Sequence, residues 1–199
     1  MSRLPHLAVI IGSTRPGRVG DVVAAWFRDL AVADGRFEVE LIDLAEVNLP
    51  VFDEPHHPRL GKYVHEHTKR WSAVIARADA IVWVIPEYNH SFSAAVKNAV
   101  DFLSAEWADK PVGLVSYGGV AAGTRAVQAL KPVLTALKTV PLADSINIPF
   151  VHSHVRDGQF VAPDTITASA GVLLNELDRW TAALRPLREV RDTAQAAAS

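Results

Sequence analysis

Short runs of buried-type residues, each followed by a turn segment and then by residues at helical spacing, recur along the chain and leave it few folds to choose from. The runs are Leu7 to Ile11, Phe37 to Ile42, Ala80 to Ile85, Val112 to Ser116 and Ser145 to Ile148. Strands with little polar alternation need cover on both faces, which is the situation of a parallel sheet with helices above and below. The intervening residues supply those helices. Val19, Val22, Val23, Trp26, Phe27 and Leu30 form one stripe. Leu60, Tyr63, Val64, His67, Trp71, Val74, Ile75 and Ala78 predict a second helix, and Phe92, Val96, Ala99, Val100 and Leu103 a third. A fourth, near Val120 to Leu137, contains Pro132, which deletes an internal hydrogen bond and clashes with the preceding turn, so a kink or an early break is predicted. The last helix opens at Pro163-Asp164-Thr165, turns Ile166, Ala170, Leu173, Leu174, Leu177, Trp180 and Leu184 to one face, and is predicted to stop at Pro186. The residues after Arg188 read as a frayed, polar, Ala-rich tail.

Five β–α units in order, without internal repeats and within 199 residues, predict a single domain. The expected architecture is α/β, a flavodoxin-like three-layer sandwich with a five-stranded parallel sheet of order 2-1-3-4-5. Its switch point lies between strands one and three, where loops leaving the carboxyl ends of the strands line the ligand crevice. The first of these loops runs Gly12-Ser13-Thr14-Arg15-Pro16-Gly17-Arg18-Val19-Gly20. Its glycines let the backbone approach an anion, the next helix presents unpaired N–H groups, and Ser13, Thr14, Arg15 and Arg18 add hydroxyl and guanidinium donors. Gly12 and Gly17 have the spacing of a nucleotide-triphosphate loop, but Arg18-Val19 replace its lysine and magnesium-binding hydroxyl. Gly12, Gly17 and Gly20 do not match the dinucleotide fingerprint either, so a terminal monophosphate is the better guest. The alternative is an ordinary Gly/Pro turn with two solvated arginines.

After the third strand come Pro86-Glu87-Tyr88-Asn89, where proline fixes the backbone, tyrosine offers an aromatic face and asparagine both donates and accepts. The fourth strand delivers Ser116-Tyr117-Gly118-Gly119, whose glycines allow close approach to a ligand. The alternative for both loops is a turn into the next helix, with Ser91 or Ser93 as its N-cap and Gly118-Gly119 as a hinge.

With Lys+Arg 20 against Asp+Glu 22, the net charge of −2 offers no broad field for nucleic acid or for a membrane face. The chain has no cysteine, which excludes disulfides and thiol redox chemistry, so redox work needs a bound cofactor. No run approaches the roughly 18 apolar residues of a membrane span, and the expected location is the cytoplasm. No metal site is expected from the eight histidines. His65 and His67, if both helical, diverge by about 200°. His152 and His154 read as a solvated loop. The tryptophans suit the core, except Trp107, which is read as a candidate subunit contact.

The chain resembles the NADPH-dependent FMN reductase family over roughly Leu7 to Leu142, most specifically at Pro86-Glu87-Tyr88-Asn89 and at Val96-Lys97-Asn98-Ala99. The resemblance implies that Ser13, Arg15, Gly17, Arg18, Val19 and Gly20 hold the FMN phosphate. It further implies that Pro86, Glu87, Tyr88 and Asn89 border the isoalloxazine ring, with Ser116, Tyr117, Gly118 and Gly119 at its other edge. Two departures stand out: Gly17-Arg18-Val19-Gly20 replaces a serine and an asparagine common in that loop, and Ser93-Ala94 replaces Pro-Gly before the third helix. The implied activity is an NAD(P)H oxidoreductase that moves a hydride from NADPH or NADH to FMN and two electrons on to a quinone-like, azo or other small-molecule acceptor. No catalytic side chain is expected, since the flavin carries the chemistry. The Gly118 and Gly119 amides are candidates to face the pyrimidine end of the ring, and the segment Asn48 to Gly61 to fold over it. A homodimer or homotetramer is implied. Two alternatives remain, an FMN-binding electron carrier without NAD(P)H activity and a flavodoxin-like scaffold that has lost its cofactor.

Overall fold

The computed structural model describes residues 3–196. Five parallel strands, β1 (His6–Ile11), β2 (Glu38–Asp43), β3 (Ala80–Pro86), β4 (Pro111–Tyr117) and β5 (Val140–Ile148), form one sheet of order β2-β1-β3-β4-β5. Every residue of β1, β3 and β4 is buried, as expected of strands covered on both sides. Side-chain alternation divides them between two layers. Leu7, Val9, Val82, Val84 and Val115 pack under α1 (Gly20–Asp34) and α6 (Asp164–Ala196). Ala8, Ile10, Ile81, Trp83, Val112 and Leu114 face α3 (Glu66–Arg77), α4 (Ala94–Asp101) and α5 (Thr124–Ala136), with the short α2 (Leu44–Val47) following β2. A two-stranded ribbon, β6 (Val155–Arg156) and β7 (Gln159–Phe160), precedes α6.

Several predicted boundaries move, each for a local reason. β5 begins at Val140 rather than Ser145, because its pairing with β4 shifts register between Val112 and Leu114 and interrupts the alternation. Pro141 is accommodated because β5 is an edge strand. The second predicted helix loses its first turn: residues Pro58–Leu60 make a separate 3-10 turn ended by Gly61 at φ 62°, and α3 starts at Glu66. The buried Glu54 carboxylate takes the N–H groups of Val64 and His65 at 2.9 and 3.0 Å, holding the chain extended there. His65 is thus outside the helix, and instead of diverging its ring stacks on that of His67 at 5.1 Å. His67 Nε2 lies 2.9 Å from Asp53.

Neither proline ends its helix. Pro132 is exposed, as is Gln128, whose carbonyl loses its N–H partner there, so the unmade bond lies on the solvent side while Ala126, Val127, Leu130 and Leu134 stay buried. α6 continues past Pro186 to Ala196, so that stretch is helical where a frayed tail was predicted, and residues 197–199 of that tail lie outside the described residues. The buried Arg188 donates to Asp109 O at 3.0 Å and to Asp79 at 3.2 Å, and Arg191 to Ala108 O at 2.5 Å. Trp107 is also corrected: it is fully buried, 6.1 Å from both Trp71 and Trp83, and its indole N–H donates to Val100 O at 3.1 Å. No helix among the described residues is long and apolar enough to cross a membrane.

Lys110, buried at the start of β4, donates to the Ile75 and Ala76 carbonyls at the end of α3. Burial, reinforced by the nearby Arg191 and Arg188 charges and only partly opposed by Asp79 and Glu106, brings its pKa down to about 7. Its folded value lies below its unfolded one, so the unfolded chain binds the extra proton and stability rises with pH between these values. Tyr63 and Tyr117 are shifted upward, chiefly by burial, and oppose this above about pH 10. Denaturant unfolding from pH 7 to 10 is therefore expected to show a rise in stability that Lys110→Met flattens. An unchanged slope in the variant would contradict this assignment.

Candidate functional site

The carboxyl ends of β1, β3, β4 and β5 open on one cavity of about 470 Å³. The loop after β1 is pinned at its root by Gly12 N–H on Val84 O at 2.8 Å. Beyond that point its donors are spare. The amides of Ser13, Thr14, Arg15, Gly17, Val19 and Gly20 meet no acceptor among the described residues, and Val19, at the N-cap of α1, supplies no side-chain cap. Gly17 turns the loop at φ 68°. A run of unpaired amides at a helix N-terminus makes a concavity for an anion. Arg15, exposed on the cavity, has no carboxylate partner among the described residues. Arg18 differs from expectation: it lines the cavity, but its guanidinium is paired with Asp43 at the end of β2, which also accepts Ala45 N–H at 2.9 Å. The second predicted phosphate donor thus has one guanidinium nitrogen committed to Asp43, while its buried Nε has no partner among the described residues.

Gly20 is buried behind the cavity wall. A Cβ there would stand 2.5 Å from the Tyr117 hydroxyl, so Gly20→Ala is expected to displace that phenol and to destabilise the fold by about 1–3 kcal/mol. Adding Tyr117→Phe removes the obstructing oxygen and should restore most of the loss in a denaturant cycle. Additive losses would rule out the contact as the cause.

The two predicted loops meet directly, through the Ser13 and Tyr88 hydroxyls at 2.8 Å. Pro86 ends β3 opposite Tyr117, and both line the cavity. Glu87 also lines it, but its carboxylate accepts the Arg125 guanidinium at 2.5 Å and the Arg125 amide at 3.1 Å, capping α5. Burial alone would raise this carboxyl; the bonds from Arg125, with the Ala126 amide, hold it below its usual range. Asn89 is not brought to the cavity. It sits exposed at φ 48° on the tip of the turn closed by Tyr88 and Ser91. Ser93, not Ser91, caps α4, accepting Val96 N–H at 3.2 Å.

Ser116 is buried behind the wall, its hydroxyl 2.8 Å from Ala122 O and 2.9 Å from Asn147. The Gly118 amide is also committed, to Ile148 O at 3.2 Å, so of the two glycine amides only that of Gly119 lacks an acceptor among the described residues. Gly118 and Gly119 nevertheless line the cavity. The segment Asn48 to Gly61 contributes nothing to the lining and is tied to α4 instead. Asn98 donates to Pro50 O at 2.6 Å and accepts Phe52 N–H at 2.9 Å, while Phe52 packs on Phe102 at 5.1 Å. In the motif Val96-Lys97-Asn98-Ala99, the asparagine thus holds this strap.

The fourth wall was not read from the sequence. Phe150, Val151, His152 and Ser153, in the turn after β5, all line the cavity, and Phe150 holds φ 46°. A left-handed conformation at a bulky residue costs about 1–3 kcal/mol. These residues have no periodic pattern, but the strand order itself could have found them, since β5 neighbours β4 and its end must open on the same edge. His152 is therefore a cavity residue rather than only a solvated one. Among the described residues no three His, Cys, Asp or Glu side chains are grouped to hold a metal ion.

Residues 5–153 match the family model described as NADPH-dependent FMN reductase. The NAD(P)H-dependent FMN reductase ntnL of a Nectria species is 38% identical over 167 residues, covering 78% of this chain and 83% of that protein. The NAD(P)H-dependent FMN reductase C4B3.06c of Schizosaccharomyces pombe is 40% identical over 149 residues, 73% of this chain and 74% of the relative. Among solved structures, FerB, a flavoenzyme NAD(P)H:(acceptor) oxidoreductase from Paracoccus denitrificans, superposes with a TM-score of 0.69 at 24% identity, covering 90% of this chain and 98% of its own.

Proposed function

Because this chain belongs to the NADPH-dependent FMN reductase family, we propose that its cavity seats FMN with the phosphate on the Ser13–Gly20 loop and the ring between the Pro86–Tyr88 and Tyr117–Gly119 walls. The protein is an FMN-binding NAD(P)H oxidoreductase, an enzyme acting on small-molecule acceptors. The observation that carries the site assignment is the set of spare amides after β1 beside the unpaired Arg15. They fit a phosphate. When bound, FMN would accept a hydride from NADPH or NADH and return it, with a proton from water, to a quinone-like or azo acceptor.

The residues have supporting tasks. The loop amides and Arg15 hold the phosphate; Arg18 is restrained by Asp43 and positions the loop. Glu87 fixes the β3 loop against α5, and Tyr88 and Tyr117 present aromatic surface. The Gly119 amide is the donor available for negative charge at the ring's pyrimidine end. No side chain is assigned a proton-transfer role. The carrier alternative is less well supported, since a net charge of −2 lacks the acidic face with which carriers dock. A homodimer or homotetramer belongs to the same proposal, with exposed Val51, Leu60 and Val64 on the strap side supplying apolar surface.

The test is the visible spectrum of the purified protein after FMN is added and the sample desalted, followed by NADPH without oxygen. Retained flavin that bleaches supports the reading. Retained flavin that stays yellow with both nicotinamides favours the carrier, and no retained flavin overturns the site assignment.

A further inference from the structure

Phe150 carries a large hydrocarbon side chain where neither packing nor backbone preference accounts for it. It follows β5 at φ 46°, a region that glycine and asparagine enter readily and phenylalanine rarely. Burial does not compensate, for the residue is 59% exposed. The other non-glycine residues at positive φ among those described are Asn48, Asn89, His90, Asp109, Ala122, Lys138 and Asp157, none of them a hydrocarbon ring. Main-chain bonds hold the conformation. Phe150 N–H donates to Gly119 O and Val151 N–H to Gly118 O, both at 3.1 Å, while Phe150 O receives the Ser153 amide at 2.8 Å. The Ser153 hydroxyl donates to the same carbonyl at 2.8 Å. Phe150 thus lines the β5 side of the cavity on a turn fastened to Gly118-Gly119, with Tyr88 on the β3 side. Strain retained at a cavity wall points to a ligand rather than to the core.

We propose that Phe150 is a specificity-determining residue, its ring forming the wall that holds the flat ring of an aromatic acceptor such as a quinone or an azo aromatic, in preference to compact anions that have no ring face. An aromatic side chain offers stacking or edge contacts to a planar partner and little to an octahedral anion. This inference rests on the reductase reading above.

Two variants test it, Phe150→Asn, which suits the left-handed backbone but removes the ring, and Phe150→Tyr, which keeps the ring. In flavin-free protein, Phe150→Asn is expected to raise the melting temperature by about 2–4 °C through relief of strain, whereas a structural role for the ring would lower it. In the FMN-loaded protein with NADPH, the same variant should raise KM for 1,4-benzoquinone roughly tenfold and change the rate with ferricyanide far less. Phe150→Tyr should match the unsubstituted protein. A lowered melting temperature in Phe150→Asn, equal changes with both acceptors, or a Tyr variant as impaired as the Asn variant would each overturn the inference. Failure of the reductase reading has its own signature, no NADPH oxidation by the unsubstituted holoprotein with either acceptor. Quinone quenching of the holoprotein's fluorescence then decides, weakened roughly tenfold by Phe150→Asn if the inference holds and unchanged if it does not.

Discussion

Arg15→Ala is expected to weaken FMN binding by about 1.5–3 kcal/mol, roughly 13- to 160-fold, while riboflavin binding barely changes. The argument is one of available charge. Of the two arginines on the loop, Arg18 is held by Asp43, so its positive charge is largely cancelled before any ligand arrives. Arg15 faces the cavity without a carboxylate partner among the described residues and is the side chain whose charge remains for a phosphate. Because Arg15 is exposed, salt should screen part of the effect, and the difference should shrink as ionic strength rises. Fluorescence titration with FMN and riboflavin at two salt concentrations measures both features. Equal losses for the two ligands would place the phosphate elsewhere. Arg18→Ala should cost less than Arg15→Ala in direct phosphate contact, with the added consequence of leaving Asp43 unpaired beside the loop.

Trp107→Ala is expected to cost about 3–5 kcal/mol of stability, the range for truncating a large buried aromatic. In a chain of this length that corresponds to a fall in melting temperature of roughly 6–20 °C. Three indoles meet here. Trp107 contacts Trp71 and Trp83 in the layer beneath α3 and α4, and its N–H satisfies a carbonyl near the end of α4. Removing it leaves a cavity among rigid rings that cannot collapse easily. Trp107 is absent from the lining of the cavity proposed for FMN, so FMN affinity measured below the transition should be unchanged. The assembly state by light scattering should also be unchanged, since the side chain reaches no surface. A mild stability effect coupled to dissociation would restore the subunit-contact reading.

The parts of this molecule written in local pattern were readable in advance. Consecutive apolar residues in β1, β3 and β4 required cover on both faces, and that requirement with five β–α units led to the observed strand order. The errors arose where a distant partner overrides a local preference. Pro186 looked like a stop because the reach of Arg188 to Asp79 and Asp109 is invisible in a window of sequence. Leu60, Tyr63 and Val64 have helical spacing, yet Glu54 draws away the amides that a helix would use. The same logic runs through the site. Ser13, Arg15, Tyr88 and Gly119 reach the cavity as their loops suggested, whereas Asn89 turns outward and Ser116 is spent on holding a turn. Arg18 also lines the cavity, but its pairing with Asp43, on the neighbouring strand, could not be read from the sequence.

The turn at Phe150 is joined to Gly118 and Gly119 by main-chain atoms on both sides. Side chains at 150, 152 and 153 therefore contribute to the cavity wall without being needed for that fastening. A lineage, or a laboratory library, can exchange them and alter what is accepted while the loop after β1 stays as it is. On the proposed reading of Phe150, breadth of substrate range becomes an inheritable property of one turn.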